Sequence, residues 1–234
     1  MDTANATGRA DELVQDLTAV VRTGVEVDDP GAMLEDRGDD QRLRREALAG
    51  VRAALAVEGL VSEAALRGVE VAVADAVWLG ASLADLSAVT GRSRQAARKR
   101  WPALGGIYRR RKWLANHVDD TFYMVRLLLD RSDGLAPGEP EQFRTAVREL
   151  REALTRSEAD FDSESDFDDN AARSAGRPPA ARWRALDELV DVHLRRVIAL
   201  AGEPANPDAG FALHGAGGVL GYYHHATTGT GEQE

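Results

Sequence analysis

The chain contains 234 residues, carries a formal net charge of −10 and has no cysteine. The lack of cysteine excludes disulfide bonds and thiolate metal sites. No stretch reaches the roughly 18 uncharged apolar residues of a membrane span, and the first residues lack the basic and apolar regions of a secretory signal. These features predict a cytoplasmic protein that does not enter a membrane.

Aromatic residues make up only 6% of the chain, and alanine supplies much of its apolar content. This composition suits thin cores between closely packed helices better than a sandwich of β-branched strands. We therefore predict an all-α fold.

Residues 1–40 are predicted to form an acidic N-terminal arm. Apolar residues at helical spacing predict a helix over 11–22. The following segment combines turn residues with acids, which is typical of a linker. Two interpretations of these acids stay open: a solvated tail, or an arm that competes with a nucleic acid for a basic surface of the chain.

Two helices are predicted next. The first, over 41–57, is expected to end at Gly59. The second is expected to begin with a Ser62 cap and to stop at Gly80. Its Trp78 is large enough to anchor a small core.

Two shorter helices joined by a tight turn are predicted after that. Ser82 can cap the first helix with its hydroxyl. Gly91 stands where the chain must leave that helix through a left-handed conformation. Ser93 can cap the second helix, and Pro102 marks its end.

Every charged side chain between Arg92 and Lys112 is basic, whereas the acids gather elsewhere. The local field decides where a polyanion can dock, and the total charge does not. The net charge of −10 therefore does not exclude a nucleic acid as the partner of this region.

The turn resembles the helix-turn-helix of bacterial DNA-binding proteins, above all the small tri-helical units of proteins from GC-rich, actinobacterial-type bacteria. The turn of those units runs Gly-x-Ser-Arg-Gln-Ala-Ala, which is matched here by Gly91, Ser93, Arg94, Gln95, Ala96 and Ala97. The resemblance covers about residues 63–102. It departs at Arg92, where a buried aliphatic residue is usual, and at Ser87, where alanine is usual. It implies a helix-turn-helix DNA-binding domain over 41–102.

The second helix of such a motif enters the major groove of DNA. Arginine can bind guanine with two hydrogen bonds and glutamine can bind adenine in the same way, so Arg94, Gln95 and Arg98 are expected to read bases. The other cations and the Ser93 cap are expected to contact phosphates. These residues are Arg92, Ser93, Lys99, Arg100, Arg109, Arg110, Arg111 and Lys112.

Residues 103–157 are predicted to hold a long helix and a supporting helix. The pair Gly105-Gly106 is expected to act as a flexible joint. The long helix is predicted over 107–131, cationic at its start and apolar further on, and the supporting helix over 139–155. The apolar part must be buried against other helices or another subunit.

The remaining chain is predicted to consist of three segments. Residues 158–179 should form an acidic, disordered linker, although aromatic residues among the acids leave open a strand that mimics DNA phosphates and occupies the basic helix. Residues 180–202 should form a C-terminal helix. Residues 203–234 are predicted to form a glycine-rich tail, because they show no helical period, and a hairpin is the regular element suggested.

No pattern of catalysis stands out. The chain lacks a G-x-x-x-x-G-K-[ST] phosphate loop and a G-x-S-x-G nucleophile elbow. His214, His224 and His225 are close in sequence, but adjacent histidines seldom bind one ion without enforced geometry. We therefore expect no enzymatic activity, no metal and no cofactor.

The sequence thus predicts a sequence-specific transcriptional regulator, cytoplasmic and nucleoid-associated, that binds double-stranded DNA through a recognition helix at 93–101. The long helix and the C-terminal helices would form a supporting or dimerising layer, and a homodimer would place two recognition helices in successive major grooves. The alternative is a protein–protein adaptor whose basic helix docks an acidic partner such as RNA polymerase or a sigma factor. A third class is a phage or mobile-element protein that uses the motif structurally.

Overall fold

The computed structural model describes residues 3–23, 38–162 and 180–228. These ranges leave out residues 1–2, most of the predicted linker in the acidic arm (24–37), residues 163–179 of the acidic segment and the last six residues. The described chain confirms the all-α class. Its helices are α1 (Thr3–Arg22), α2 (Gly38–Trp78), α3 (Leu83–Thr90), α4 (Arg94–Arg100), α5 (Leu104–Asn116), α6 (Val118–Asp130), α7 (Pro140–Asp162), α8 (Ala181–Glu188), α9 (Arg195–Leu200) and α10 (Pro207–Thr228), with a π-helical segment, Leu189–Leu194, between α8 and α9.

The chain divides into two units, Met1–Glu70 and Val71–Glu234. The first unit contains α1 and most of α2, and within it Ala53 and Val57 are almost fully buried. The predicted break at Gly59 is wrong, because α2 runs through it as one helix. A glycine ends a helix when it adopts the left-handed conformation, and in a helical conformation it costs only about 1 kcal/mol relative to alanine.

The second unit contains a small core that holds the helix-turn-helix together. Leu86 of α3 and Ala97 of α4 are buried there with Trp101 and Leu104. The predicted anchor, Trp78, is buried but belongs to the larger core of the same unit. Trp101 takes its place, since it follows α4 directly and lies beside both helices of the motif.

The larger core is built by α5 to α10. Leu114, Val125, Leu128 and Leu186 are among its fully buried members, and α10 packs against both α5 and α6. After α6, a 3-10 turn (Ser132–Gly134) leads into β1 (Leu135–Ala136), which pairs antiparallel with β2 (Glu203–Pro204). This short pair ties the chain after α6 to the start of α10.

The predicted long helix over 107–131 is in fact two helices, α5 and α6. His117 leaves the helical conformation at φ −133° and ψ 22°. Its Nδ1 lies 2.7 Å from the carbonyl oxygen of Trp113, and its backbone N–H donates to Leu114 instead. The apolar period continues across this break, so periodicity alone could not reveal it. The predicted joint at Gly105-Gly106 is also wrong, since both glycines lie in the first turn of α5.

The C-terminal elements differ from prediction in extent and type. The supporting helix α7 continues to Asp162, so the first residues of the predicted disordered linker are helical. Phe161 contacts the rings of Phe122 and Trp183 at 5.8 and 5.0 Å between centroids. The helix predicted over 180–202 is present but contains the π-helical segment.

The glycine-rich tail is the largest error, because it forms α10 and not a hairpin. The side chain of Asn206 caps this helix by accepting a hydrogen bond from the backbone of Ala209 at 2.9 Å. A Cβ atom at Gly215 would lie 2.7 Å from Sδ of Met124 on α6, so a larger residue there would force the Met124 side chain to move. Close packing of α10 on α6 therefore offsets the weak helix propensity of glycine.

Candidate nucleic-acid interface

The turn between α3 and α4 is fixed by the side chains that the sequence predicts for it. Ser82 Oγ accepts hydrogen bonds from the backbone of Ala84 and Asp85, both at 3.2 Å, and Asp85 accepts one from the Ser82 backbone at 2.8 Å. The hydrogen bonds that the backbone N–H and the hydroxyl of Ser82 donate to the Asp85 carboxylate lower the pKa of this group. Gly91 ends α3 in the left-handed conformation, at φ 64°. Ser93 then caps α4 through the backbone of Ala96. Both predicted caps and the turn glycine are confirmed.

The three predicted base-reading residues are exposed on α4. Arg94 and Arg98 lie one turn apart on the same side of the helix, and Gln95 lies beside them. Within the described part of the chain none of the three has a hydrogen bond or an ion pair. Their donors are therefore available for an external partner.

Four of the predicted phosphate-binding cations are equally free. Arg92, Lys99, Arg100 and Lys112 are exposed and lack a partner among the described residues. Ser93 is exposed as well, although its hydroxyl already caps α4. The turn and α4 therefore bring together most of the free positive charge of the predicted site.

Three arginines of the predicted phosphate set are instead engaged within the fold. Nε of Arg109 donates to the carbonyl oxygen of Thr227 at 3.2 Å, and Arg110 forms an ion pair with Asp187 at the same distance. Nε of Arg111 donates to the carbonyl oxygen of Trp78 at 2.8 Å. These bonds connect α5 to α10, to α8 and to the end of α2.

Arg111 is the most deeply engaged of the three. Its guanidinium carbon lies 3.3 Å from the ring centroid of Trp183, which is a close cation–π contact. Burial, and to a lesser extent the charge of Arg182, lowers its pKa. Arg111 therefore uses its Nε and one face of its guanidinium within the fold, which leaves it less available to a phosphate than the four exposed cations.

A polar cluster that sequence reasoning missed supports α5. Asp187 accepts a hydrogen bond from the hydroxyl of Tyr223 and also pairs with Arg110. Burial raises the pKa of Asp187 against the opposing effects of these two partners, and burial together with the Asp187 hydrogen bond raises the pKa of Tyr223. Tyr223 and Arg110 stand 36 and 77 residues away from Asp187 in the sequence, so no local signal could have revealed this cluster.

The histidines do not assemble into a metal centre within the described residues. His224 lies 3.2 Å from Asp191, which also pairs with Arg195. No group of three or more potential ligand side chains occurs over 3–23, 38–162 and 180–228. In the same ranges, no helix has the length and apolar character that crossing a membrane requires.

Comparison of the chain with protein-family models, with curated proteins and with solved structures finds no significant match. The resemblance to helix-turn-helix proteins therefore rests on the residues of the turn itself.

Proposed function

We propose that this protein is a sequence-specific DNA-binding transcriptional regulator that acts as a homodimer on the bacterial nucleoid. The observation that carries this proposal is the state of Arg94, Gln95 and Arg98. They are exposed and unpaired within the described chain, on a helix whose start and turn are fixed by Ser82, Gly91 and Ser93. Exposed, unpaired donors on a helix that is held by its caps suit the reading of base edges.

We assign two roles on this surface. Arg94, Gln95 and Arg98 read bases, because they occupy the first turn and a half of α4. The free cations Arg92, Lys99, Arg100 and Lys112 contact phosphates, which raises affinity without selecting a sequence. The internal contacts of Arg109, Arg110 and Arg111 serve to fix α5 behind this surface.

Binding to random duplex DNA should fall steeply with salt. Four phosphate contacts per copy correspond to a slope near −3.6 for each copy bound, so a homodimer that contacts DNA with both copies should give about −7.2, roughly a 20,000-fold loss of affinity between 50 and 200 mM salt. Fluorescence anisotropy with a labelled random duplex measures this slope. The variant Lys99→Ala should reduce the magnitude of the slope by about one unit per copy, hence by about two units in the homodimer. The control Arg148→Ala, at an exposed position of α7, should leave the slope unchanged.

Two results would contradict this prediction. No binding at 50 mM salt would exclude the DNA-binding role and favour the adaptor that docks an acidic protein. Binding with a slope unaffected by Lys99→Ala would show that DNA contacts another surface.

The dimer is suggested by an exposed apolar stripe on α2. Leu48, Val51, Leu55, Leu66 and Val69 are between 41% and 62% exposed. They recur at helical spacing along about 32 Å of the helix, with Gly59 and Ser62 at the intervening positions. Ala53 and Val57, on the opposite side, are buried. Between Leu48 and Val69 the stripe is therefore not the side that α2 buries, whereas further along the same row Val73 and Val77 are buried in the small core of the helix-turn-helix.

We assign a second copy of this chain to the stripe. A single α4 offers three base-reading side chains, whereas tight specific binding generally uses two half-sites. A symmetric dimer needs a surface that complements itself. A helix with a continuous apolar row meets this need, because two copies can bury the row against each other.

The double variant Leu55→Glu, Leu66→Glu should weaken the dimer by at least about 100-fold, since each buried leucine contributes roughly 1.5–3 kcal/mol. Sedimentation velocity over a range of concentrations measures the change. Ala56→Glu is the control, because Ala56 is also exposed but lies off the stripe. A monomeric wild-type chain, or a double variant that still dimerises, would remove the stripe from the proposal.

A further inference from the structure

A groove opens beside the recognition helix, entirely within the second unit. It has a volume of about 910 Å³ and lies between the end of α2, the start of α3, α4 and the start of α5. Sites for small molecules commonly have volumes of 300–1,000 Å³. The groove is therefore large enough for a small organic ligand.

The charged side chains that line the groove are all cationic. They are Arg94, Arg98 and Arg109. Arg94 and Arg98 have no ion-pair partner in the described chain, and Arg109 uses its Nε for the Thr227 carbonyl. Arginine side chains gathered without a carboxylate bind oxyanions such as carboxylate, sulfonate or phosphate strongly, because they donate several charge-assisted hydrogen bonds.

The floor of the groove is apolar. Trp101, Leu104 and Val77 line it, and Tyr108 lines it as well and is 44% exposed. Ligand sites typically combine such apolar and aromatic side chains with a few polar groups that fix the orientation of the ligand. The apolar part of a ligand would therefore lie against this floor.

We propose that this groove binds a small organic anion, composed of an apolar ring or chain with one carboxylate, sulfonate or phosphate group. The apolar part contacts Trp101 and Leu104, and the anionic group is held by Arg94 and Arg98. A bare phosphate ion would leave the apolar floor uncovered. Given the DNA-binding function proposed above, on which this step rests, the ligand and DNA exclude one another because both need Arg94 and Arg98.

The probe for the test is 8-anilinonaphthalene-1-sulfonate, an apolar ring system with one sulfonate. Its matched partner is N-phenyl-1-naphthylamine, which has the same rings and no charge. Titration of the full chain should show one saturable sulfonate site, with the neutral compound bound at least tenfold more weakly. Inorganic phosphate at millimolar concentration should not displace the sulfonate.

The variants separate this site from the DNA surface. Arg94→Ala and Arg98→Ala should each weaken sulfonate binding about tenfold or more. Gln95 does not line the groove, so Gln95→Ala should weaken DNA binding and leave sulfonate binding unchanged. Arg148→Ala should change neither. Circular dichroism establishes that each variant is folded.

The outcomes are distinguishable. Sulfonate binding that persists in the Arg94→Ala, Arg98→Ala double variant, or that the neutral compound equals, would overturn the groove site whether or not DNA binds. Sulfonate binding that depends on both arginines, in a chain that binds no DNA, would overturn the proposed function alone. Simultaneous binding of DNA and sulfonate would overturn the mutual exclusion.

Discussion

Replacing Arg94 and Arg98 together by alanine should lower the affinity for the preferred duplex by roughly 30-fold to 20,000-fold for each copy of α4 that reads bases. Each arginine that binds guanine with two hydrogen bonds contributes about 1–3 kcal/mol of discrimination, and every 1.4 kcal/mol corresponds to a factor of about ten. Both side chains are exposed, so the fold should survive the change. The loss should therefore report on recognition.

The measurement has two stages. Selection of bound fragments from a random DNA pool first defines the preferred duplex. Anisotropy titrations then compare that duplex with a scrambled one in a buffer free of organic anions, since the groove beside α4 uses the same arginines. The double variant should lose most of the ratio between the two affinities.

A matched control is the pair Lys99→Ala, Arg100→Ala, which removes two positive charges from the same helix. It should weaken binding to both duplexes alike, because phosphate contacts carry no sequence information. An unchanged ratio in the Arg94, Arg98 variant would contradict the assignment of base-reading residues. Arg110→Ala is unsuitable as a control, because it would leave Asp187 buried without its ion-pair partner.

Local chemistry accounts for the parts of the site that the sequence predicts well. Ser82, Gly91 and Ser93 act through hydrogen bonds and backbone conformation within a few residues, so their roles follow from the residues themselves. Asn206-Pro207 is a signal of the same kind at the start of α10, since asparagine favours the cap and proline the first helical position. The glycines within α10 have weak helix propensity, so the sequence does not predict a helix after this start signal.

Long-range contacts account for what the sequence does not predict. The run Arg109 to Arg111 has the composition of an exposed basic cluster, yet its partners come from Thr227, Asp187 and Trp78. Gly59 and Gly91 illustrate the same limit for secondary structure. Gly91 is followed by a new cap, whereas Gly59 is followed by residues that continue the helix. The residue type alone does not distinguish the two outcomes.

Gly202→Ala should destabilise the second unit by about 3–5 kcal/mol. Gly202 precedes β2 with φ at 64°, a left-handed conformation that costs other residues roughly 1–2 kcal/mol. An added Cβ atom would also lie 2.1 Å from the carbonyl oxygen of Ala136 in β1. This neighbour is backbone within the β1–β2 pair, so relief requires separating the two strands.

Urea unfolding monitored by tryptophan fluorescence measures this change, because all four tryptophans lie in the second unit. The control is Gly138→Ala, at a glycine whose added Cβ would meet nothing within 4 Å and whose φ is not positive. That substitution should change stability by less than about 1 kcal/mol. Equal stability of the two variants would show that the β1–β2 pair yields readily. In that case, contacts other than the β1–β2 pair would hold the start of α10 against the end of α6.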